Sequence, residues 1–231
     1  MKISTFNIQN DSKTYQRKKI DELHRYIEKN KIDVLGLQEV FPKLDKDIKK
    51  DLQYDFKIEG KFRFFSKIIL RRINEKNPII THYDIVSSKT YHLPSFPSLT
   101  KRILTHVVIK YKDKEISVYN THLEVYIPSV KIKQLNKIYD IIKEDNRPKV
   151  LMGDFNLKTN NDIFNDFIDR LGELGIKRIE LNEKTYKPSK YKREIDHIFI
   201  SKEFRLKNKE VIKDLVISDH YPVLIDVDVK K

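Results

Sequence analysis

The sequence contains no cysteine in 231 residues. Disulfides, thiolate-bound zinc and cysteine nucleophiles are therefore excluded. Glycine is scarce, with five in the chain, so flexible hinges are few. No internal repeat, low-complexity tract or Pro/Gly-rich linker divides the sequence, and one domain over residues 1–231 is expected. No apolar run approaches the length of a membrane span, and the opening MKISTFNIQN has no hydrophobic stretch of the signal-peptide kind. The expectation is a cytoplasmic monomer without a transmembrane segment. A mature secreted form is compatible with the same sequence.

Negative charge is also in short supply. Lys and Arg number 47 against 34 Asp and Glu, a net charge of +13. That balance favours a polyanionic partner, either nucleic acid or an anionic membrane surface, although an ordinary surface from a Lys-rich sequence would look similar. Hydrophobic residues make up 39%, above the disordered range and enough for one sizeable core.

Apolar spacing then places the elements. KISTFNI alternates as a half-buried strand. RKKIDELHRYIEKN sets Ile20, Leu23 and Ile27 on one helical face, and DVLGLQEV reads as a short buried strand. IITHYDIV, ILTHVVIKY and EISVYNTHLEV read as three successive strands. Val130, Leu135, Ile138 and Ile142 mark a second helix, which strand KVLMGDF and helix NDIFNDFIDRLGEL follow. IDHIFIS, VIKDLVIS and YPVLIDVDV close the chain as strands. Mixed strands and helices with adjacent β runs point to sheets packed face to face with helices outside.

The informative polar residues sit where these apolar runs stop: Asn7, Gln38-Glu39, Asn120-Thr121-His122, Asp154 with Asn156, and Ser218-Asp219-His220. EIDHIF begins its strand on Asp196-His197. Taken singly, each has an ordinary explanation. Asn7 suits a turn, Glu39 a helix entry, GDFN an Asx turn. Together they offer one chemistry. Glu39, Asp154 and Asp219 with Asn7 and Asn156 supply hard oxygens, suited to Mg²⁺ or Mn²⁺. His122 and His220 can move protons near neutral pH, and Asp196 can fix a histidine tautomer. These three are expected to work as one proton-transfer unit. Metal, oriented water and proton donors describe phosphoester hydrolysis.

The ordered set TFN, LQEV, NTHLE, GDFN, IDHIF and SDHYPV resembles the endonuclease/exonuclease/phosphatase superfamily, the deoxyribonuclease I-like group, across residues 3 to 229. The resemblance implies a single catalytic domain built as a four-layer α/β sandwich, two mixed sheets face to face flanked by helices. It implies that Glu39, with Asn7 nearby, holds the divalent metal, and that Asp219 contributes to metal binding or polarises its neighbour. It implies that Asp154 and Asn156 orient water and phosphate, and that His220, paired with Asp196, contacts phosphate and transfers a proton. His122 matches the histidine of the deoxyribonuclease I-like and phosphatase branches. Gln9 stands where abasic-site repair enzymes usually carry Asp, and THLE replaces their tyrosine-bearing segment, so both count against that branch.

Two basic, aromatic-rich stretches look like substrate surface: residues 61–72 and residues 184–194, the second offering Tyr186, Lys187, Lys190 and Lys192. Cations follow a phosphate backbone and aromatic rings stack on unpaired bases. Arg102 is a candidate phosphate contact. The expected activity is a Mg²⁺-dependent nuclease or DNA-end phosphodiesterase. The alternative is a phosphatase or sphingomyelinase-like enzyme acting on a small or lipid phosphoester.

Overall fold

In this computed structural model, the structure describes residues 1–9, 16–40, 44, 46–48, 57–59, 76–188 and 193–230. Residues 61–72, along with Lys190 and Lys192, lie outside that set. Two six-stranded sheets are present. The first runs in the order β11-β12-β1-β2-β4-β3, the second β5-β6-β7-β8-β10-β9. The strands of the first sheet are β1 (Lys2–Asn7), β2 (Val34–Gln38), β3 (Lys57–Glu59), β4 (Ile79–Thr81), β11 (Phe204–Val211) and β12 (Val223–Val229). The second sheet uses β5 (Asp84–His92), β6 (Ile103–Tyr111), β7 (Lys114–His122), β8 (Lys149–Asp154), β9 (Ile176–Arg178) and β10 (Asp196–Ser201). Helix α1 (Gln16–Asn30) joins the parallel pair β1 and β2, and α2 (Pro128–Lys143) joins the parallel pair β7 and β8. Helix α3 (Asp162–Glu173) follows β8.

Three apolar seams hold these layers together. Ile20, Leu23 and Ile27 of α1 pack with Phe6, Leu35 and Leu37 on the outer face of the first sheet. Leu135, Ile138 and Ile142 of α2 and Phe164, Phe167 and Leu171 of α3 pack with Tyr119, Leu151 and Phe199 on the outer face of the second. Between the sheets lie Ile3, Val34, Val118, Val150, Met152, Ile198 and Ile225. The expected four-layer sandwich is therefore what forms. Each fully buried side chain of this kind contributes roughly 1.5–3 kcal/mol by leaving water.

Strand periodicity does the rest. Alternate residues face opposite sides of a sheet. In β1, Ile3 points between the sheets and Phe6 points to α1, so Asn7 shares the inner side with Ile3. In β8, Val150 and Met152 face inward and Leu151 outward, which puts Asp154 inward as well. The same parity turns Gln38, Asn120, His122 and Asp196 to the inner side. The central seam is thus apolar along most of its length and polar at one end.

Two strands depart from expectation. IITHYDIV is not one strand. It breaks at His82 and Tyr83, and its halves β4 and β5 belong to different sheets. The Thr81 hydroxyl accepts the Tyr83 N–H at 3.2 Å and donates to Asp33 O at 2.9 Å, a local turn that competes with strand continuation. VIKDLVIS is not a strand beyond Val211. The strand is β11, just upstream, whose residues Arg205 to Glu210 are all exposed. It is a Lys-bearing edge, so it shows no inward–outward alternation.

Gly153 marks the tightest approach. Its φ is +147°, and a Cβ there would lie 2.0 Å from Thr121 O of the neighbouring strand. Gly172, near the end of α3, has open space around the same position. Gly153→Ala should therefore cost more than about 3 kcal/mol of stability or abolish folding, whereas Gly172→Ala should stabilise by about 0.5–1 kcal/mol. Urea unfolding of the two variants checks this, and equal effects would contradict it.

Candidate active site

The polar end of the central seam brings together residues from both sheets. Asp154, the last residue of β8, is 1% exposed. Its Oδ2 accepts from Asn7 Nδ2 at 3.0 Å, and its Oδ1 accepts the Asn156 N–H at 2.9 Å. His122 Nε2 and His220 Nε2 approach the same Oδ2 at 3.6 and 3.7 Å. Asn7 Nδ2 also donates to Glu39 Oε1 at 3.1 Å, so one amide spans two carboxylates.

Each imidazole has its other nitrogen fixed. Arg102 Nη1 lies 2.7 Å from His122 Nδ1. A guanidinium only donates, so Nδ1 accepts and the His122 proton sits on Nε2, facing Asp154. His220 Nδ1 donates to both oxygens of Asp196, at 2.9 and 3.1 Å. The expected His220–Asp196 pair is present. His122 is held by Arg102 and not by Asp196, so the three do not form one chain. The two imidazoles converge on Asp154 instead, and Asp196 reaches it only through His220.

Backbone geometry supports this arrangement. Asn156 has φ +51°, and Lys131 of α2 donates from Nζ to its carbonyl at 2.8 Å. The Thr185 hydroxyl accepts the N–H groups of Ile195 and Asp196 at 3.1 and 3.2 Å, seating the start of β10. Gln9 accepts the Asp219 N–H through Oε1 at 3.1 Å, and its own N–H goes to Asn7 Oδ1 at 3.0 Å. The residue that departs from the repair-enzyme pattern therefore ties the Asn7 turn to the Asp219 loop. Ser218-Asp219-His220 lies in the loop before β12, not at a strand end, and Ser218 anchors it by donating to Asn7 O at 2.6 Å. His197 is a structural histidine. It is fully buried, sits against Phe164, and lies 2.9 Å from Leu157 O.

Two further candidates, Tyr186 and Lys187, lie beside this cluster. The Tyr186 ring centroid is 5.0 Å from that of His220. Lys187 sends its ammonium to Ser218 O at 2.6 Å and Leu215 O at 3.2 Å, and so braces the Asp219 loop. Sequence reading misses Lys131 and Thr185. Lys131 resembles any helix-surface lysine in a periodic pattern, and Thr185 sits in a stretch whose basic charge draws attention elsewhere.

Charge is unevenly balanced here. Burial pushes the Asp154 carboxyl up, but His122, His220 and its hydrogen bonds outweigh this and hold it below the usual range. Burial raises Asp196, and the Asp154 charge adds to that while His220 offsets part of it. Burial alone would lower His220, but Asp196 and then Asp154 reverse this and push it up to about 10. The hard oxygens of Glu39, Asp154 and Asp219 beside a neutral amide suit a divalent cation of the Mg²⁺ class. Asp154, Asp196 and His220 also present ligand atoms within 4.8 Å of one another, but the His220–Asp196 bond already commits two of these three.

A four-layer sandwich with this cluster at the end of its central seam defines a deoxyribonuclease I-like phosphoesterase fold. The profile of the Endonuclease/Exonuclease/phosphatase family matches residues 4–220, and the chain belongs to that family, whose members are phosphoester hydrolases. An endonuclease/exonuclease/phosphatase from Bacteroides vulgatus superposes with a TM-score of 0.85 at 23% identity, over 99% of this chain and 98% of that one. The Bacteroides thetaiotaomicron mannosyl-6-phosphatase Bt3783 gives 0.79 at 20%, over 99% of each chain. D. rerio TDP2 complexed with single-strand DNA product gives 0.78 at 15%, again over 99% of each. No curated protein matches in sequence. Among the described residues no helix is long and apolar enough to cross a membrane.

The raised His220 pKa has a definite sign. Its stabilising share is complete below the ordinary value near 6.5 and is lost as pH rises through about 10. Asp196→Asn removes the main raising partner, so His220 should titrate at lower pH, followed by NMR of the imidazole. An unchanged titration would contradict the assignment of Asp196 as the cause.

Proposed function

We propose that the chain is a divalent-metal-dependent phosphodiester hydrolase acting on nucleic acid. The observation that carries this reading is Asp154, a buried carboxylate with two imidazoles at 3.6 and 3.7 Å and Asn7 bridging it to Glu39. Glu39, with Asn7 and Asp219 beside it, would hold the metal, and Mg²⁺ or Mn²⁺ fits this oxygen set. When bound, the ion would polarise a phosphoryl oxygen and offset negative charge.

The chain's own residues supply the remaining functions. Asp154 is ionised and lies beside the Asn156 amide, so it can orient a water and take its proton. His122 presents Nε2–H to the same space, with Arg102 keeping the proton there. His220 carries a proton at neutral pH and can pass it to the departing ester oxygen, with Asp196 stabilising the imidazolium. Tyr186, Lys187, Lys190 and Lys192 serve substrate binding in this reading, Lys187 mainly by fixing the Asp219 loop. The excess of 47 basic over 34 acidic residues favours a polyanion. The likeness to a mannosyl-6-phosphatase keeps a small phosphoester as the second reading.

The test is hydrolysis of labelled oligonucleotides, bis(nitrophenyl) phosphate and sugar phosphates with Mg²⁺, Mn²⁺ or EDTA. Oligonucleotide cleavage that needs the metal is the expected result. Glu39→Gln should lower kcat/KM at least ~10-fold and raise the Mg²⁺ requirement. His122→Ala should cost ~10² to 10⁴ in kcat. Turnover of sugar phosphates alone would replace the nuclease reading with the phosphatase one.

A further inference from the structure

A cleft of about 340 Å³ opens next to Asn156. It is distinct from the Asp154 cluster, but the two share the Asn156 turn. Its walls carry three cations, Lys131, Lys158 and Arg193, and three amides, Asn156, Asn160 and Asn161. Among the described residues no carboxylate lines it. Glu194, which follows Arg193, faces away and pairs with Arg178 and His197. Asn161 caps α3 and accepts the Phe164 N–H at 3.3 Å, so the positive end of that helix also borders the cleft.

Three cations converging without an acid among them repel one another and attract a counter-charge. Lys131 is 8% exposed, and its ammonium is anchored on Asn156 O at 2.8 Å, so it cannot swing away into solvent. Burial pulls its pKa down and Arg193 adds to this, while Glu124 and Asp154 offset part of the effect. Lys158 and Arg193 are exposed at the mouth. The amide groups add neutral donors, the pattern expected around an anion's oxygens.

We infer that this cleft is a second anion subsite, taking a phosphate that neighbours the one undergoing hydrolysis. The assignment rests on the phosphoesterase reading above. It deepens that reading by specifying a substrate with at least two phosphates, one on each side of the GDFN turn. The second phosphate can come from the next linkage of a nucleic-acid strand or from a second group on a small polyphosphorylated molecule. In either case it is bound without being hydrolysed.

The test uses the double variant Lys158→Gln/Arg193→Gln, whose changes lie at the exposed mouth and leave Lys131 and its hold on Asn156 in place. The first measurement needs no turnover. Pyrophosphate is titrated into metal-free parent and variant by calorimetry, and ~10-fold or greater weakening is expected on losing two charge-assisted contacts. The second compares KM for a dinucleotide with and without an extra terminal phosphate, and for an inositol monophosphate against a bisphosphate. The added phosphate should lower KM in the parent and not in the variant. Whichever pair shows the effect identifies the source of the second phosphate. Equal pyrophosphate affinity in parent and variant would overturn the subsite. Absence of turnover of every ester by the parent, with pyrophosphate binding still weakened in the variant, would overturn the hydrolase reading and leave the anion site standing.

Discussion

The structure turns on keeping one buried carboxylate charged. Asp154 is almost sealed from solvent, and an isolated ionised carboxylate in that position would be strongly disfavoured. It is made tolerable by the Asn7 amide, the Asn156 N–H and two imidazoles. These partners come from β1, the turn after β8, the end of β7 and the loop before β12. Each sheet supplies part of the set, so the site forms only when the two sheets pack. The same seam that buries Val118, Val150 and Met152 sets the distances around Asp154.

That dependence explains where the support lies. Gly153 allows β8 to pass close to β7 just before Asp154. Gln38 and Asn120 join the two sheets below the site, with Gln38 Nε2 donating to Asn120 Oδ1 at 2.6 Å and Asn120 Nδ2 donating to Leu37 O at 2.8 Å. Lys131 reaches in from the helical layer to hold Asn156. Such polar contacts across a packed interior are costly unless satisfied and, when satisfied, fix one arrangement. The cations Arg102, Lys131 and protonated His220 offset part of the negative charge that Glu39, Asp154, Asp196 and Asp219 bring to the region.

Much of this is legible in the sequence because strand alternation is a local rule. Asn7, Asp154 and Asp196 are assigned to strand ends by the apolar residues beside them, and parity then places them on one face. The long periodic helices are equally clear. Less clear are features decided by tertiary contact. The edge strand β11 is polar on both faces, so it gives no alternation, and VIKDLVIS offers a misleading apolar run. The turn at His82 and Tyr83 depends on Thr81 hydrogen bonds that composition does not reveal. The sequence groups His122 with His220 and Asp196, but Arg102, just before β6, claims its Nδ1. Lys187 reads as a substrate contact because its charge is visible in sequence, whereas the carbonyls of Leu215 and Ser218 that hold it are not.

The central requirement is that Asp154 is ionised and acts as the hub of the site. Equilibrium unfolding against pH, in EDTA, of the parent and Asp154→Asn tests this directly. Because the folded-state pKa is lowered, the carboxylate's stabilising share is present above the ordinary value near 3.8 and is lost as pH falls through the folded value. The stability difference between parent and variant should therefore be largest near neutral pH and shrink as the solution is acidified below the usual carboxylate range. A difference that stays constant from neutral to acid pH would contradict an ionised Asp154 at the centre of the site.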